Sequence, residues 1–358
     1  MVKFYDWNRT LSFFNKEHEQ ALLTMVVGGN GIGKTYGLRK WLVKRYLETG
    51  ERFCEICRHS SDELPSIAKG WFDKLEALDE FPDYCFKVES LTGYVAKRYD
   101  SEGNELENPE WEVCGYFVAL TQYELAKRTT YVNVRYCVFD EFILDRSKPY
   151  TRYLSNEHSL LMKMCVAVFR EIPGDGIPRR IIMMANAVDM INPYFQHYGI
   201  DRAPSYGFHW YDNKHVLLHY VKPWDAAERK EQTTIGILTS GKAEQAQMFD
   251  NVMYGSGTDF IRKKPSSAVC SCAITFENTT FGVWRDAKGN IYICKKTVKD
   301  APTFALTTKD NAINYTMAKK SEPTLKAIQN LFYMGKVFYE SPALRGRFER
   351  VMQFMGVR

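Results

Sequence analysis

The sequence predicts an α/β protein: a mostly parallel sheet covered on both faces, followed by a smaller α+β domain with antiparallel strands. Short apolar runs alternate with helical patterns through the first 225 residues, and several are apolar at nearly every position, as strands buried on both faces are. A glycine-rich turn joins the first strand directly to a helix. After residue 257 the pattern changes to closely spaced strands separated by turn residues.

In chain order, the first strand is Leu22–Val27, which runs into Gly28–Gly33 and a helix from about Lys34 to Leu47. Arg52–Cys57 is the next strand, and Pro65–Asp79 has the spacing of an amphipathic helix. Phe86–Val88, Tyr94–Arg98 and Trp111–Leu120 are further strands, with the polar stretch 100–109 as a loop. Val134–Phe139 is a buried strand, His158–Phe169 a helix and Arg180–Ala185 another buried strand. Residues 226–257 hold few apolar side chains and suit a connector with at most a short helix. Ala268–Phe276, Phe281–Arg285 and Ile291–Lys295 follow, with turns at 277–280 and at 286–290 around Lys288-Gly289-Asn290. Helices at about Leu325–Phe338 and Ala343–Met355 finish the chain. Domains are therefore expected at 1–225 and 258–358, joined by a linker at 226–257.

At 358 residues, with 45% hydrophobic and 25% charged side chains, the chain has the balance of a globular protein with two cores. No run approaches the roughly 18 apolar residues of a membrane span. The mixed polar opening, with Asp6 and Asn8, lacks the apolar core of a signal peptide. A soluble protein that engages no membrane and stays where it is made is the expectation. Among nine cysteines, Cys54 and Cys57 have C-x-x-C spacing but lie in an apolar strand. No second such pair or His pair accompanies them, and Cys270 and Cys272 are two apart, so reduced core thiols are expected. The net charge of +5 is unevenly spread: residues 258–358 carry 17 Lys and Arg against 8 Asp and Glu, leaving the first 257 residues at −4. A basic C-terminal part suits a polyanionic partner.

The chemistry is concentrated in two motifs. Gly28-Gly29-Asn30-Gly31-Ile32-Gly33-Lys34-Thr35 fits G-x-x-x-x-G-K-[ST] in full, in the strand–loop–helix context that the motif requires. Glycines let the backbone N–H groups curl toward phosphates, and the following helix presents its positive end to them. Lys34 supplies a cation for the β- and γ-phosphates of ATP, and Thr35 a hydroxyl for Mg²⁺. The apolar strand Tyr136–Phe139 ends in Asp140 and Glu141, 106 and 107 residues beyond that lysine. Asp140 is expected to hold Mg²⁺, and Glu141 to orient and deprotonate the attacking water. Adjacent acids of this kind favour an ATPase over a kinase, which needs a base beside a bound acceptor. Asn186, at the end of the strand Ile181–Ala185, is placed to sense the γ-phosphate or the lytic water. Arg170 closes an apolar helix, where a guanidinium could reach a neighbouring subunit's ATP; Arg146, Arg179 and Arg180 compete for that role. Arg58, just past the second strand, is a further phosphate-side candidate.

The sequence resembles the phi29-type DNA packaging ATPases of small tailed bacteriophages, nearly end to end. The resemblance is carried by Gly31-Ile32-Gly33-Lys34, by Val138-Phe139-Asp140-Glu141-Phe142-Ile143 and by Val168-Phe169-Arg170. More specific are Asn186-Ala187-Val188 with Asn192-Pro193-Tyr194-Phe195, and Phe281-Gly282-Val283-Trp284, because no general nucleotide chemistry demands them. What it implies is an ASCE-type P-loop ATPase domain followed by an RNase H-like domain that has lost nuclease cleavage. The first C-terminal strand agrees, since Ala268–Ile274 contains no acid for a two-metal site. The resemblance also implies a homomeric ring, pentameric in known members, at a procapsid portal with double-stranded DNA in its pore. Arg170 matches that family's trans-acting arginine, whereas around Arg58 the match slips by one residue. A location in the host cytoplasm, transiently at the portal and not in the mature virion, goes with that role.

A pump indifferent to sequence should hold phosphates with Lys and Arg on loops. Lys127 and Arg128 precede the acid-tipped strand, and Arg146, Lys148 and Arg152 follow it, so both loops connect to elements touching ATP. Arg262-Lys263-Lys264 and Arg345, Arg347 and Arg350 are expected to meet DNA, the portal protein or a structural RNA. The alternatives are a P-loop kinase or nucleotidyl-transferring enzyme, and an assembly protein that binds ATP without turnover, against which Glu141 argues. A helicase is less suited, because no paired core or strand-separating element is evident.

Overall fold

The computed structural model describes residues 5–14, 21–59, 63–144, 153–154, 156–171, 175–186, 190, 192–200, 204–222, 234–239, 260–319 and 322–356. Arg146, Lys148 and Arg152 lie outside the described residues, as do Ala187 and Val188. The chain divides into two compact units, Met1–Val188 with Pro204–Val252, and Asp189–Ala203 with Met253–Arg358. The stretch Asp189–Ala203, which sequence patterning leaves in the first domain, thus packs with the second unit.

The first unit contains, in order, α1 (Trp7–Leu11), β1 (Leu23–Val27), α2 (Lys34–Thr49), β2 (Arg52–Cys57), α3 (Glu63–Lys69), α4 (Asp73–Ala77), β3 (Tyr84–Glu89), β4 (Thr92–Lys97), β5 (Glu112–Ala119), α5 (Tyr123–Ala126), β6 (Val134–Phe139), α6 (Glu157–Phe169) and β7 (Arg180–Ala185). After α7 (Pro193–His197), which belongs to the other unit, it continues with β8 (Gly207–Tyr211), β9 (Val216–Tyr220) and α8 (Thr234–Thr239). Its nine strands form one sheet in the order β3-β4-β5-β2-β6-β7-β1-β9-β8. The six strands from β5 to β9 run parallel, and antiparallel pairs finish both edges. The central strands are apolar along their length because both faces are covered. On one face, Val26, Phe53, Phe117, Val138 and Ile182 pack with Leu38 and Leu42 of α2 and with Trp71. Cys54, Cys137 and Cys165 of α6 lie together, and burial and the neighbouring thiols push the Cys137 thiol well up. All nine cysteines are free.

Two helix boundaries differ from expectation. Residues 65–79 form α3 and α4 rather than one helix, because Trp71 between them is fully buried. Its ring stacks on Phe53 at 4.4 Å, and its indole N–H donates to Glu55 Oε2 at 2.8 Å. Near the C-terminus the predicted helix stops at Tyr333; Gly335, with φ 67°, turns the chain into a strand at Val337–Tyr339.

In the second unit, β10 (Val269–Phe276), β11 (Thr279–Arg285) and β12 (Ile291–Cys294) form an antiparallel meander. Parallel strands β13 (Thr303–Ala305), β14 (Tyr315–Met317) and β15 (Val337–Tyr339) flank it. Helices α9 (Pro323–Tyr333) and α10 (Pro342–Phe354) bury Leu325, Ile328, Phe348 and Val351 against Ile274, Phe281, Val283 and Ile293.

The segment around α1 packs on the first unit's sheet. The hydroxyls of Tyr5 and Thr10 meet His219 Nδ1 at 2.6 and 3.2 Å, and Phe208 stacks on the imidazole at 4.0 Å. Burial, helped by the Arg9 charge, holds the His219 pKa down at about 4. An unfolded histidine protonates near pH ~6.5. Between these values the unfolded chain takes up a proton that the folded chain refuses, so stability falls as pH drops from about 6.5 toward 4. Urea midpoints at pH 7.5 and 5 should fall further apart for the native chain than for His219→Gln. Equal spacing would remove His219 as the source.

Candidate active site

The phosphate cradle follows from β1 and its neighbours. β1 delivers the chain at Gly28, where a Cβ would lie 2.9 Å from Val221 Cβ, so the loop can pass only without a side chain. Gly31 and Gly33 have φ 68° and 87°, a region that glycine enters without strain. No side chain caps α2; Gly33 occupies its N-cap. An uncapped N-terminus of a 16-residue helix provides N–H donors and a positive dipole end for phosphate. Lys34 is buried, and its ammonium donates to the carbonyls of Gly28 (3.0 Å) and Gly29 (2.9 Å).

β7 lies between β1 and β6, so the C-terminal ends of all three open on the same edge. The consequence is a junction of two motifs far apart in sequence. Lys34 Nζ also donates to Asn186 Oδ1 at 3.3 Å, and the Thr35 hydroxyl donates to Asp140 Oδ2 at 2.8 Å. The Thr35–Asp140 pair is an oxygen donor set of the kind Mg²⁺ takes, so these residues fit a magnesium nucleotide. Glu141 is exposed beside them with φ 54°, a left-handed conformation unusual for glutamate. Its N–H donates to Asp140 Oδ1 (2.9 Å), and the next N–H, of Phe142, donates to the Met184 carbonyl (3.1 Å).

Arg58 does not point a free guanidinium at the cradle. Its Nε and Nη2 donate to the two oxygens of Glu157, each at 2.9 Å, and Nη2 also donates to the Phe142 carbonyl at 3.1 Å. Longer bonds of 3.4 Å reach the Glu141 carbonyl, and the rings of Phe139 and Tyr153 lie under the cation. Arg58 therefore ties the end of β2 and the start of α6 to the acid-bearing turn.

Arg170 stands at the other end of α6. It caps the helix with φ 43°, and its Nη2 donates to the carbonyls of Lys127 (3.1 Å) and Thr129 (2.7 Å). Asn133, Arg135, Asp175 and Arg179 share with it a cavity of about 340 Å³. The 13 residues of α6, at about 1.5 Å each, put roughly 20 Å between Arg170 and the turn of Glu141. Lys127 and Arg128 are exposed beside Arg170, and Lys127 Nζ reaches Glu124 at 3.2 Å. In the second unit Arg262 lies over Phe338 and Lys264 over Trp284. Arg345 pairs with Glu349, Arg350 with Glu277, and Arg347 donates to the Gln196 carbonyl.

Three contributors escape sequence reasoning. The Tyr5 N–H donates to the Ile32 carbonyl and the Trp7 indole N–H to the Lys34 carbonyl, both at 2.8 Å, so the N-terminal segment braces the cradle. Glu55 is buried in β2, where burial first, and then the nearby Asp140 charge, raise its carboxyl pKa; Arg39 and Trp71 bond to it. An acid inside an apolar strand was the available signal. Glu157, fully buried, is the third.

The family described as Podovirus DNA encapsidation protein (Gp16) matches residues 3–352. The DNA packaging protein of Bacillus phage phi29 is 27% identical over 350 residues, covering 96% of this chain and 95% of that one. Among solved structures, a chain of the bacteriophage Phi-29 viral genome packaging motor assembly has a TM-score of 0.73 at 24% identity, with 99% of both chains covered. A chain of the Phi-28 gp11 DNA packaging motor has a TM-score of 0.69 at 17% identity, covering 100% of this chain and 99% of that one.

Proposed function

Because this chain belongs to the Podovirus DNA encapsidation protein (Gp16) family, we propose that it is an ATP-hydrolysing motor that drives double-stranded DNA into a viral procapsid. The observation that carries the proposal is the junction of Lys34 with Asn186 and of Thr35 with Asp140, which joins a phosphate cradle to a hydrolytic acid pair. The cradle N–H groups and Lys34 would hold the β- and γ-phosphates, and Thr35 and Asp140 would hold Mg²⁺, whose charge would offset that developing on the phosphates. Glu141 accepts the proton of the attacking water, and the Asn186 amide, within reach of Lys34, reports the γ-phosphate.

The subunits work as a homomeric ring, with five the number suggested by family resemblance. Distance supports a trans role for Arg170, since roughly 20 Å separates it from its own acid pair. Lys127 and Arg128, adjoining Arg170, grip DNA phosphates together with Arg146, Lys148 and Arg152. The basic C-terminal unit meets DNA, the portal protein or a structural RNA. It performs no nuclease reaction: β10 carries no acid, and the buried Asp310 is engaged by the N–H groups of Glu277 and Asn278. The motor acts in the host cytoplasm, transiently at the portal, and leaves before the virion is complete. Among the described residues no helix is long and apolar enough to cross a membrane.

Turnover measured with and without duplex DNA tests the reading. DNA should stimulate hydrolysis by the assembled protein, with the stimulation fading as salt rises. A rate indifferent to DNA, or phosphate transfer to a small acceptor, would favour a P-loop kinase instead.

A further inference from the structure

Beside the nucleotide site is a second cavity that the motor reading does not use. It has a volume of about 130 Å³, lies between α2 and α4, and is lined by Thr35, Tyr36, Arg39, Trp71, Lys74 and Leu75. That volume is well above the roughly 10–15 Å³ that one water needs on the same measure. Thr35 belongs to both places: its hydroxyl reaches Asp140 and its residue forms part of this wall.

The lining is cationic. Arg39, one helical turn beyond Thr35, donates to Glu55 Oε1 (3.4 Å) and to the Trp71 carbonyl (3.3 Å), yet its Nε–H is buried with no acceptor. A buried donor left unbonded destabilises the fold unless something supplies an acceptor. Lys74 is exposed, sits 5.0 Å above the Tyr36 ring, and has no carboxylate within ion-pair distance among the described residues. The nearby acids already have partners, some of them in the lining itself: Glu55 accepts from Trp71 and Arg39, and Glu80 accepts from the Tyr36 hydroxyl and pairs with Lys40. Two cations and an unbonded N–H beside one partly open cavity form a receptor for a small tetrahedral oxyanion. Of such anions, the one produced next door is inorganic phosphate.

We propose that the cavity between α2 and α4 binds the inorganic phosphate leaving the nucleotide site, with Arg39 and Lys74 as its cationic ligands. The identity of phosphate as the hydrolysis product rests on the ATPase reading; the oxyanion site itself does not. Arg39 stays in place throughout, since it also neutralises the buried Glu55, and Lys74 at the exposed mouth is the residue to change.

The test is calorimetric titration of inorganic phosphate into the full chain already saturated with Mg²⁺ and a non-hydrolysable ATP analogue. The analogue fills the γ-phosphate position, so phosphate that still binds is elsewhere. The native chain should take up one equivalent, and Lys74→Glu should weaken that binding by about tenfold or more. Absence of binding, binding abolished by the analogue, or equal binding by Lys74→Glu would each overturn the site. Product origin is read separately, by following cleavage and phosphate release in a single turnover. Release should lag behind cleavage in the native chain, with a shorter lag in Lys74→Glu. An unchanged lag alongside weakened titration would mean that the pocket takes phosphate only from solution. Failure of the native chain to cleave ATP would sink the motor reading and leave the titration intact.

Discussion

Replacing Glu141 with Gln should lower ATP turnover by about 10²–10⁴-fold, the usual contribution of a positioned general base, while leaving nucleotide affinity close to native. The substitution keeps the shape and hydrogen-bonding reach of the side chain and removes only its basicity. The binding groups are all elsewhere. Gly28 to Gly33 and the α2 N-terminus form the cradle, Lys34 lies within it, and Thr35 meets Asp140 rather than Glu141. The turn that carries Glu141 is held through its backbone, by Arg58 and by the Phe142 N–H bond to Met184, so the fold does not depend on the carboxylate. Glu141→Gln and native protein would be compared by single-turnover cleavage and by a fluorescent-nucleotide titration. Cleavage within tenfold of native would exclude Glu141 as the base. Loss of nucleotide binding would assign it to the cradle instead.

Most of this site was legible because its chemistry imposes local grammar. A phosphate loop needs glycines between a strand and a helix, and an acid pair needs a strand to carry it. Both requirements leave marks within a dozen residues. The interposition of β7 between β1 and β6, which makes Asn186 a neighbour of Lys34, is a matter of strand order and leaves no such mark. The same limit explains Arg58: sequence position sets it at the end of β2, but only packing reveals the buried Glu157 that claims two of its nitrogens. The bracing Tyr5 and Trp7 stand outside any motif, and the β8–β9 hairpin is announced only by Asp212, Asn213 and Lys214, which adopt positive φ at its turn.

The two blocks that nucleotide chemistry did not demand turn out to have packing reasons. Asn192 is the N-cap of α7, accepting from the Phe195 N–H at 2.9 Å, with Pro193 opening the helix. Tyr194 and Phe195 are fully buried, and α7 lies against α10. These contacts are what draws Asp189–Ala203 into the second unit, which no reading of periodicity could foresee. In the other block, a Cβ on Gly282 would lie 2.1 Å from the Lys296 carbonyl, the same oxygen that accepts from the Trp284 indole. Glycine and tryptophan are thus paired by one backbone oxygen.

Arg170→Ala should lower cleavage by about 10³-fold or more, the scale of a transition-state arginine, and the loss should be repaired by a neighbour that lacks its own base. Within one chain, α6 holds Arg170 some 20 Å from Glu141, so its guanidinium has no path to its own γ-phosphate. In the proposed head-to-tail ring, the Arg170 end of one subunit would meet the nucleotide edge of the next. Subunits carrying Arg170→Ala keep Glu141, and subunits carrying Glu141→Gln keep Arg170. Each population alone should be nearly inert. In rings assembled from equal amounts of both, roughly a quarter of the sites combine an intact base with a neighbour's intact arginine, if the subunits mix at random in a head-to-tail ring. Single-turnover cleavage, which does not depend on coordinated cycling, should recover to about that fraction. Rings shown to be mixed but no more active than either parent would place the arginine's effect within its own subunit, where its bonds to the Lys127 and Thr129 carbonyls would then be its whole role.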